Sequence, residues 1–159
     1  MQGITVRHRS PSVANNYAIH SQAGSCELRA CDISSASGSG IGVEGGRLLA
    51  TAVRVHDCVS NGLVAAADVT EGEPADVSLI GCTLVRNGRS GAVLLDGTTA
   101  LLRDCTVEGN VKGLELRVRP HEGPAAEGSL RERQRGPAAA EALLRDCSCC
   151  PAPVPRPLA

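Results

Sequence analysis

Val53-Arg-Val-His-Asp-Cys58, Val77-Ser-Leu-Ile-Gly-Cys82 and Ala100-Leu-Leu-Arg-Asp-Cys105 are one phrase written three times. In each, two aliphatic or small positions are separated by one residue, and a cysteine follows three places after the second. A polar turn carrying an asparagine comes next, then a glycine and an apolar run: Asn61-Gly62-Leu63-Val64, Asn87 to Gly91-Ala92-Val93-Leu94, and Asn110 to Gly113-Leu114-Glu115-Leu116. Alternation at period two, punctuated by Gly, Asn and Asp, reads as short strands joined by turns.

Working outward, Cys31 joins the series, and Cys31, Cys58, Cys82 and Cys105 fall 27, 24 and 23 residues apart. Each has an aliphatic residue three positions before it: Leu28, Val55, Leu79 and Leu102. A second landmark is a small residue, Ala18, Gly40, Gly62, Gly91 and Gly113, with gaps of 22, 22, 29 and 22. Further on, Ala142-Leu-Leu-Arg-Asp-Cys147 repeats the Cys105 unit 42 residues later. Two landmarks with nearly one period indicate a solenoid. Each coil of roughly 23 residues would hold two or three strands and stack about 4.8 Å from the next, so that equivalent residues lie above one another. A leucine-rich repeat would need a denser leucine frame and a helical half. The expected coils are residues 17–41, 42–64, 65–94 and 95–116, about four in all. Residues 1–16 form a lead-in or degenerate coil, 17–118 the repeats, and 119–141 a charged Gly/Pro-rich insertion with a short helix at Ser129-Leu-Arg-Glu132. Residues 142–159 form a partial repeat and a Pro/Cys-rich tail that stops the last coil. Residues 137–144 have helical propensity, but repetition of the Leu-Leu-Arg-Asp-Cys unit favours a strand.

The unit Val-x-Leu-x-x-Cys-x-Val, then Asn, then Gly-Leu-x-Leu resembles the repeat of right-handed parallel β-helix proteins, the pectate-lyase-like superfold, from about Tyr17 to Val118. The resemblance implies an all-β chain. That superfold hosts polysaccharide lyases and hydrolases, epimerases, phage tailspikes and the substrate-recognition part of some F-box ubiquitin-ligase subunits, so fold alone does not select a function. Cysteine-bearing coils without aromatics look more like the intracellular, non-catalytic members, although no F-box is visible.

Composition narrows the function classes. Seventeen acidic and sixteen basic side chains nearly cancel, which argues against a field for nucleic acid or a membrane surface. One tyrosine, no phenylalanine and no tryptophan leave almost no stacking platforms for bases or sugars. Eight cysteines without an export signal point to reduced thiols and an intracellular, cytoplasmic setting.

The ladder Cys31, Cys58, Cys82 and Cys105 is expected to face inward with Leu28, Val55, Leu79 and Leu102, as small buried apolar groups do. Cys147, Cys149 and Cys150 form one cluster without the second pair that structural zinc requires, and read as exposed tail thiols; no metal or other cofactor is expected. Asn61, Asn87 and Asn110, with Gly40, Gly62, Gly91 and Gly113, are assigned to turns. Asp57 and Asp104 share a phase two coils apart, about 9.6 Å on the strand spacing, near the upper end of the separation used by inverting glycosidases. They are weak catalytic candidates, because polygalacturonase-like signatures are absent and so is any aromatic partner for them. The histidines share no spacing, and His56-Asp57-Cys58 is a nucleophile set on paper only, since alternation sends Asp57 and Cys58 to opposite faces. The expected function is a non-catalytic protein-binding or scaffolding module, with Arg54, Ser78, Arg103 and Glu115 on outward faces. The partner would be another protein or further coils of a longer β-helix. The competing reading is a carbohydrate-active β-helix with an incomplete site.

Overall fold

The computed structural model describes residues 1–12, 16–68, 70–117, 141–145 and 148–150, the backbone alone from residue 116 onward. Among the described residues, sixteen strands build three parallel sheets that wind into a solenoid of about five turns. The first sheet stacks β1 (Thr5–His8), β4 (Asp32–Ser35), β7 (Arg54–His56), β10 (Thr83–Val85), β13 (Thr106–Glu108) and β16 (Ser148–Cys150). The second stacks β2 (Tyr17–Gln22), β5 (Ser39–Glu44), β8 (Leu63–Ala66), β11 (Ser90–Leu95) and β14 (Lys112–Arg117). The third stacks β3 (Ser25–Arg29), β6 (Gly46–Thr51), β9 (Ala75–Ile80), β12 (Thr98–Arg103) and β15 (Glu141–Arg145). The all-β parallel solenoid expected from the repeats is the fold, with one more turn than the four counted from Tyr17. β1 pairs in register with β4 ahead of Tyr17, and β15 follows β12 with Leu101 opposite Leu143 and Leu102 opposite Leu144. Glu141–Arg145 is therefore strand, and Cys149 pairs with Val107 in β16 rather than lying in a structureless tail. Of the insertion expected at 119–141, residues 119–140 lie outside the described residues, as do the helix expected at 129–132, Cys147 and the tail from Pro151.

Alternation places one aliphatic set inside. In the third sheet Leu28, Ala50, Leu79 and Leu102 form one buried column. In the second, Ile41 and Val43, Leu63 and Ala65, and Ala92 and Leu94 share two inner columns. Each strand pairs a larger with a smaller residue, so every coil fills a similar cross-section without an aromatic ring.

The three corners turn on left-handed residues. Ala30, Ala52, Gly81 and Asp104 (φ 48°, 52°, 60° and 53°) are equivalent positions after the third sheet, and Asp57, Arg86 and Gly109 (51°, 53° and 64°) after the first. At these positions a single αL residue turns the chain, despite a cost of roughly 1–2 kcal/mol for a non-glycine residue there. Between the second and third sheets Ala23 with Gly24, Gly45 with Gly46, and Gly97 do so. The four glycines assigned to turns do something else. None has positive φ; Gly40, Gly91 and Gly113 lie inside strands and Gly62 just before one. A Cβ on Gly40 would sit 2.3 Å from Val55 Cγ1, and one on Gly91 would sit 2.3 Å from Val107 Cγ1. At Gly40, Gly62 and Gly91 the glycine is required by a crowded inner corner and not by turn dihedrals, whereas a Cβ on Gly113 would meet nothing within 4 Å.

Register corrects the cysteine ladder. Arg54 N donates to Cys31 O, Thr83 N to Val53 O and Thr106 N to Cys82 O, so the column is Cys31, Val53, Cys82, Cys105. Cys58 belongs to the next corner, in the position held by Asn87 and Asn110 in later coils. The phrase at Val53 is thus displaced by one corner from those at Val77 and Ala100: Val77 lies opposite Leu48 and Ala100. The small-residue gaps of 22, 22, 29 and 22 follow the coils throughout. The long gap comes from the connection between β8 and β9, residues 67–74, whereas the chain turns in one or two residues after β2, β5 and β11.

Leu79→Ala is expected to lower unfolding free energy by about 2–5 kcal/mol through a partly collapsed cavity, and Ser78→Ala, one residue away on the outside, by less than about 0.5 kcal/mol. Denaturant unfolding of both variants checks this inward-outward assignment.

Candidate binding surface

Asp57 and Asp104 do not form a pair. Asp57 sits at the corner after β7 and Asp104 at the corner after β12, on different columns of the solenoid. The shared phase rested on aligning Cys58 with Cys82, and it disappears with that alignment. Asp57 instead closes a cluster across three coils. Arg86 donates from Nε to Oδ1 (2.9 Å) and from its terminal nitrogen to Oδ2 (2.8 Å). His56 Nδ1 lies 2.6 Å from Asp57 Oδ2, and His56 Nε2 lies 2.9 Å from Asp32 Oδ1. The Arg86 hydrogen bonds first, then His56, hold the Asp57 carboxyl down at about 2. A group so acidic is an anion at any ordinary pH and cannot act as a general acid. The cluster is an inter-coil tie.

Cys58, next in sequence, points into the core. Burial pushes its thiol up to about 11, so no Cys–His nucleophile forms. Cys31, Cys82 and Cys105 are buried, and their thiols donate to Arg29 O (3.3 Å), Ala50 O (3.4 Å) and Leu79 O (3.4 Å). Contact with Cys82 and then burial push the Cys105 thiol up. Cys26, which the spacing did not flag, is free and half-buried on β3.

The asparagines split between inside and outside. Asn110 Nδ2 donates to Leu84 O (2.9 Å), Asn110 Oδ1 accepts from Asn87 N (2.8 Å), and Asn87 Oδ1 accepts from Cys58 N (3.1 Å). Asn87 and Asn110 are buried and satisfy the backbone where the corner exposes it. Asn61 lies outside that column, and its Oδ1 accepts from Ser90 N.

The four proposed contact residues lie on three faces. Arg54 is on the first sheet, Glu115 on the second, and Ser78 and Arg103 on the third. On the third sheet, register sets Glu27, Leu49, Ser78 and Leu101 in one outward row, and Arg29, Thr51, Ile80 and Arg103 in the next. Leu49, Ile80 and Leu101 are only half-buried, though they are aliphatic. Arg47, which pairs with Asp76 at 3.6 Å, and the Glu27–Arg29 ion pair stand at the edge. The three outward aliphatics on this face are thus rimmed by charge. The sequence carried a signal for them in the doublets Leu48-Leu49, Leu79-Ile80 and Leu101-Leu102. On a strand, two consecutive aliphatics put one inside and one outside.

The Asp57 tie gives a signed pH dependence. A carboxyl depressed to about 2 contributes stability above the ordinary carboxylate range, and loses it as pH falls toward 2. Because Asp57 is 51% exposed, the contribution is screened to about 1 kcal/mol or less. Asp57→Asn should lower stability slightly at pH 7 and match the parent near pH 2, as read from melting temperatures across that range. No curated protein and no solved structure matches the chain. The family described as "Right handed beta helix region" matches residues 2–121. With parallel strands in register through five turns, the chain belongs to the right-handed β-helix family.

Proposed function

We propose that the chain is a protein-binding β-helix, a rigid scaffold that presents the outer face of its third sheet to a partner. The observation that carries this reading is the half-exposed patch of Leu49, Ile80 and Leu101 among Arg29, Arg47 and Arg103. Burying such a patch is favourable by roughly 25 cal/mol per Å² of apolar surface removed from water. The guanidiniums at its rim would select partner charge. Free thiols at Cys26, Cys31, Cys58, Cys82 and Cys105 support a reducing compartment for that encounter.

The carbohydrate-active reading needs a carboxylic acid and a base free to act on substrate. Asp32, His56, Asp57 and Arg86 provide the residue types on one outward face, but they are engaged with one another. Their mutual pairing favours the scaffold.

The double variant Ile80→Glu with Leu101→Glu keeps every inward residue, so its circular dichroism and melting temperature should stay near those of the parent. Cross-linking and co-purification from the cells that express the protein should recover a specific partner with the parent and lose it with this variant. Cleavage of a polysaccharide by the purified protein, abolished by Asp57→Asn or Asp32→Asn, would overturn the scaffold reading.

A further inference from the structure

The outer face of the second sheet carries a feature that the binding face just described does not use. Tyr17 is the sole aromatic residue of the 159. Its ring lies over Gly42: a Cβ there would approach Tyr17 Cγ to 2.7 Å. The ring also stacks on the His20 imidazole, with centroids 5.0 Å apart at 28°. Two clefts open on either side of the ring and share Tyr17 and Val64 as walls. One, of about 370 Å³, is lined by Ser37, Ser39, Ser60 and Asn61. The other, of about 360 Å³, is lined by Glu44, Asp68 and Leu95. Together they follow β5, whose six residues span roughly 20 Å.

The second cleft is acidic. Glu44 Oε2 accepts from Gln22 Nε2 (3.1 Å) and lies 3.4 Å from His20 Nε2, while Glu44 Oε1 accepts no hydrogen bond among the described residues. Asp68 Oδ1 accepts the Thr70 and Glu71 amides (2.6 and 3.2 Å), and the Thr70 side chain also bonds this carboxylate. Neither cleft is lined by lysine or arginine among the described residues. Burial, then the Glu44 charge, raises the Tyr17 phenol, which keeps the ring neutral beside two carboxylates.

An aromatic face, two carboxylates and apolar walls at Val64 and Leu95 match one side chain above others. A guanidinium stacks flat on a tyrosine, takes carboxylates through its fork of donors and lays its aliphatic stem on apolar surface. The trough is longer than one side chain needs, and its other half is lined with hydroxyls and an amide, as suits a peptide backbone. We infer that the trough beside Tyr17 binds an extended, arginine-bearing peptide segment of the partner, with the arginine between Tyr17, Glu44 and Asp68. This inference rests on the protein-binding reading and supplies the anchor chemistry. An acidic polysaccharide would meet repulsion from the same carboxylates.

Tyr17 also supplies the assay, because the 159-residue chain has no other tyrosine and no tryptophan to emit. The probe is the blocked hexapeptide Ala-Pro-Ala-Arg-Pro-Ala, compared with its citrulline analogue. Saturable change in tyrosine emission is expected with the arginine peptide, weakened about tenfold by citrulline, by Glu44→Gln and by raised salt. Asp68→Asn, which retains the turn-forming side chain, should weaken it as well. A silent peptide overturns the inference, as does binding indifferent to citrulline and to Glu44→Gln. So does an emission change produced by neutral hexasaccharides and not by the peptide. If the peptide is silent while a partner is still lost with Ile80→Glu and Leu101→Glu, the trough fails alone. If no partner is recovered by either face, the protein-binding reading falls with it.

Discussion

The structure depends on how closely successive coils approach at one inner corner. At Gly40 and Gly91 a single added carbon would collide with Val55 or Val107 and with the neighbouring backbone. That approach allows strands to stack in register at the sheet spacing, and register places every inward column and every outward row. Buried Asn87 and Asn110 complete the same corner by bonding the backbone groups that no ladder reaches. Because no aromatic ring enters the core, small reciprocal changes such as Leu63 with Ala65 against Ala92 with Leu94 keep the cross-section constant.

These constraints explain what was legible in the sequence. The small-residue period followed the coils because at Gly40, Gly62 and Gly91 a steric clash admits almost no larger substitute. The cysteine period was misleading at one step because the inner site it marks accepts any small apolar side chain, and Val53 fills it between Cys31 and Cys82. Cys58 then drew the eye to the wrong corner, and the Asp57–Asp104 pair followed from that slip. The extra turn was legible only as a lead-in or degenerate coil because β1 carries Thr, Arg and His outside the common phrase, and pairs through its backbone.

On the outside, sequence types were legible and their faces were not. Arg54, Ser78, Arg103 and Glu115 are all outward, but a three-sided solenoid sends them to three surfaces. What distinguishes one surface is the aliphatic member of each Leu-Leu or Leu-Ile doublet. What distinguishes another is a tyrosine placed over a glycine one coil away. The polar cluster that most resembles catalytic machinery, around His56, spends its charges on holding coils together.

Register is therefore the claim to test most directly. Parallel neighbours in register bring Cα atoms within the range a disulfide spans, about 4.4–6.8 Å. Thr51 lies opposite Ile80 in the structure, whereas the cysteine phrases would set Arg54 opposite Ser78. Mild oxidation of Thr51→Cys with Ile80→Cys should form an intramolecular disulfide, visible by mass spectrometry of peptides, and Arg54→Cys with Ser78→Cys should not. Cross-linking of the second pair and not the first would contradict the register, and with it the columns and faces derived from it.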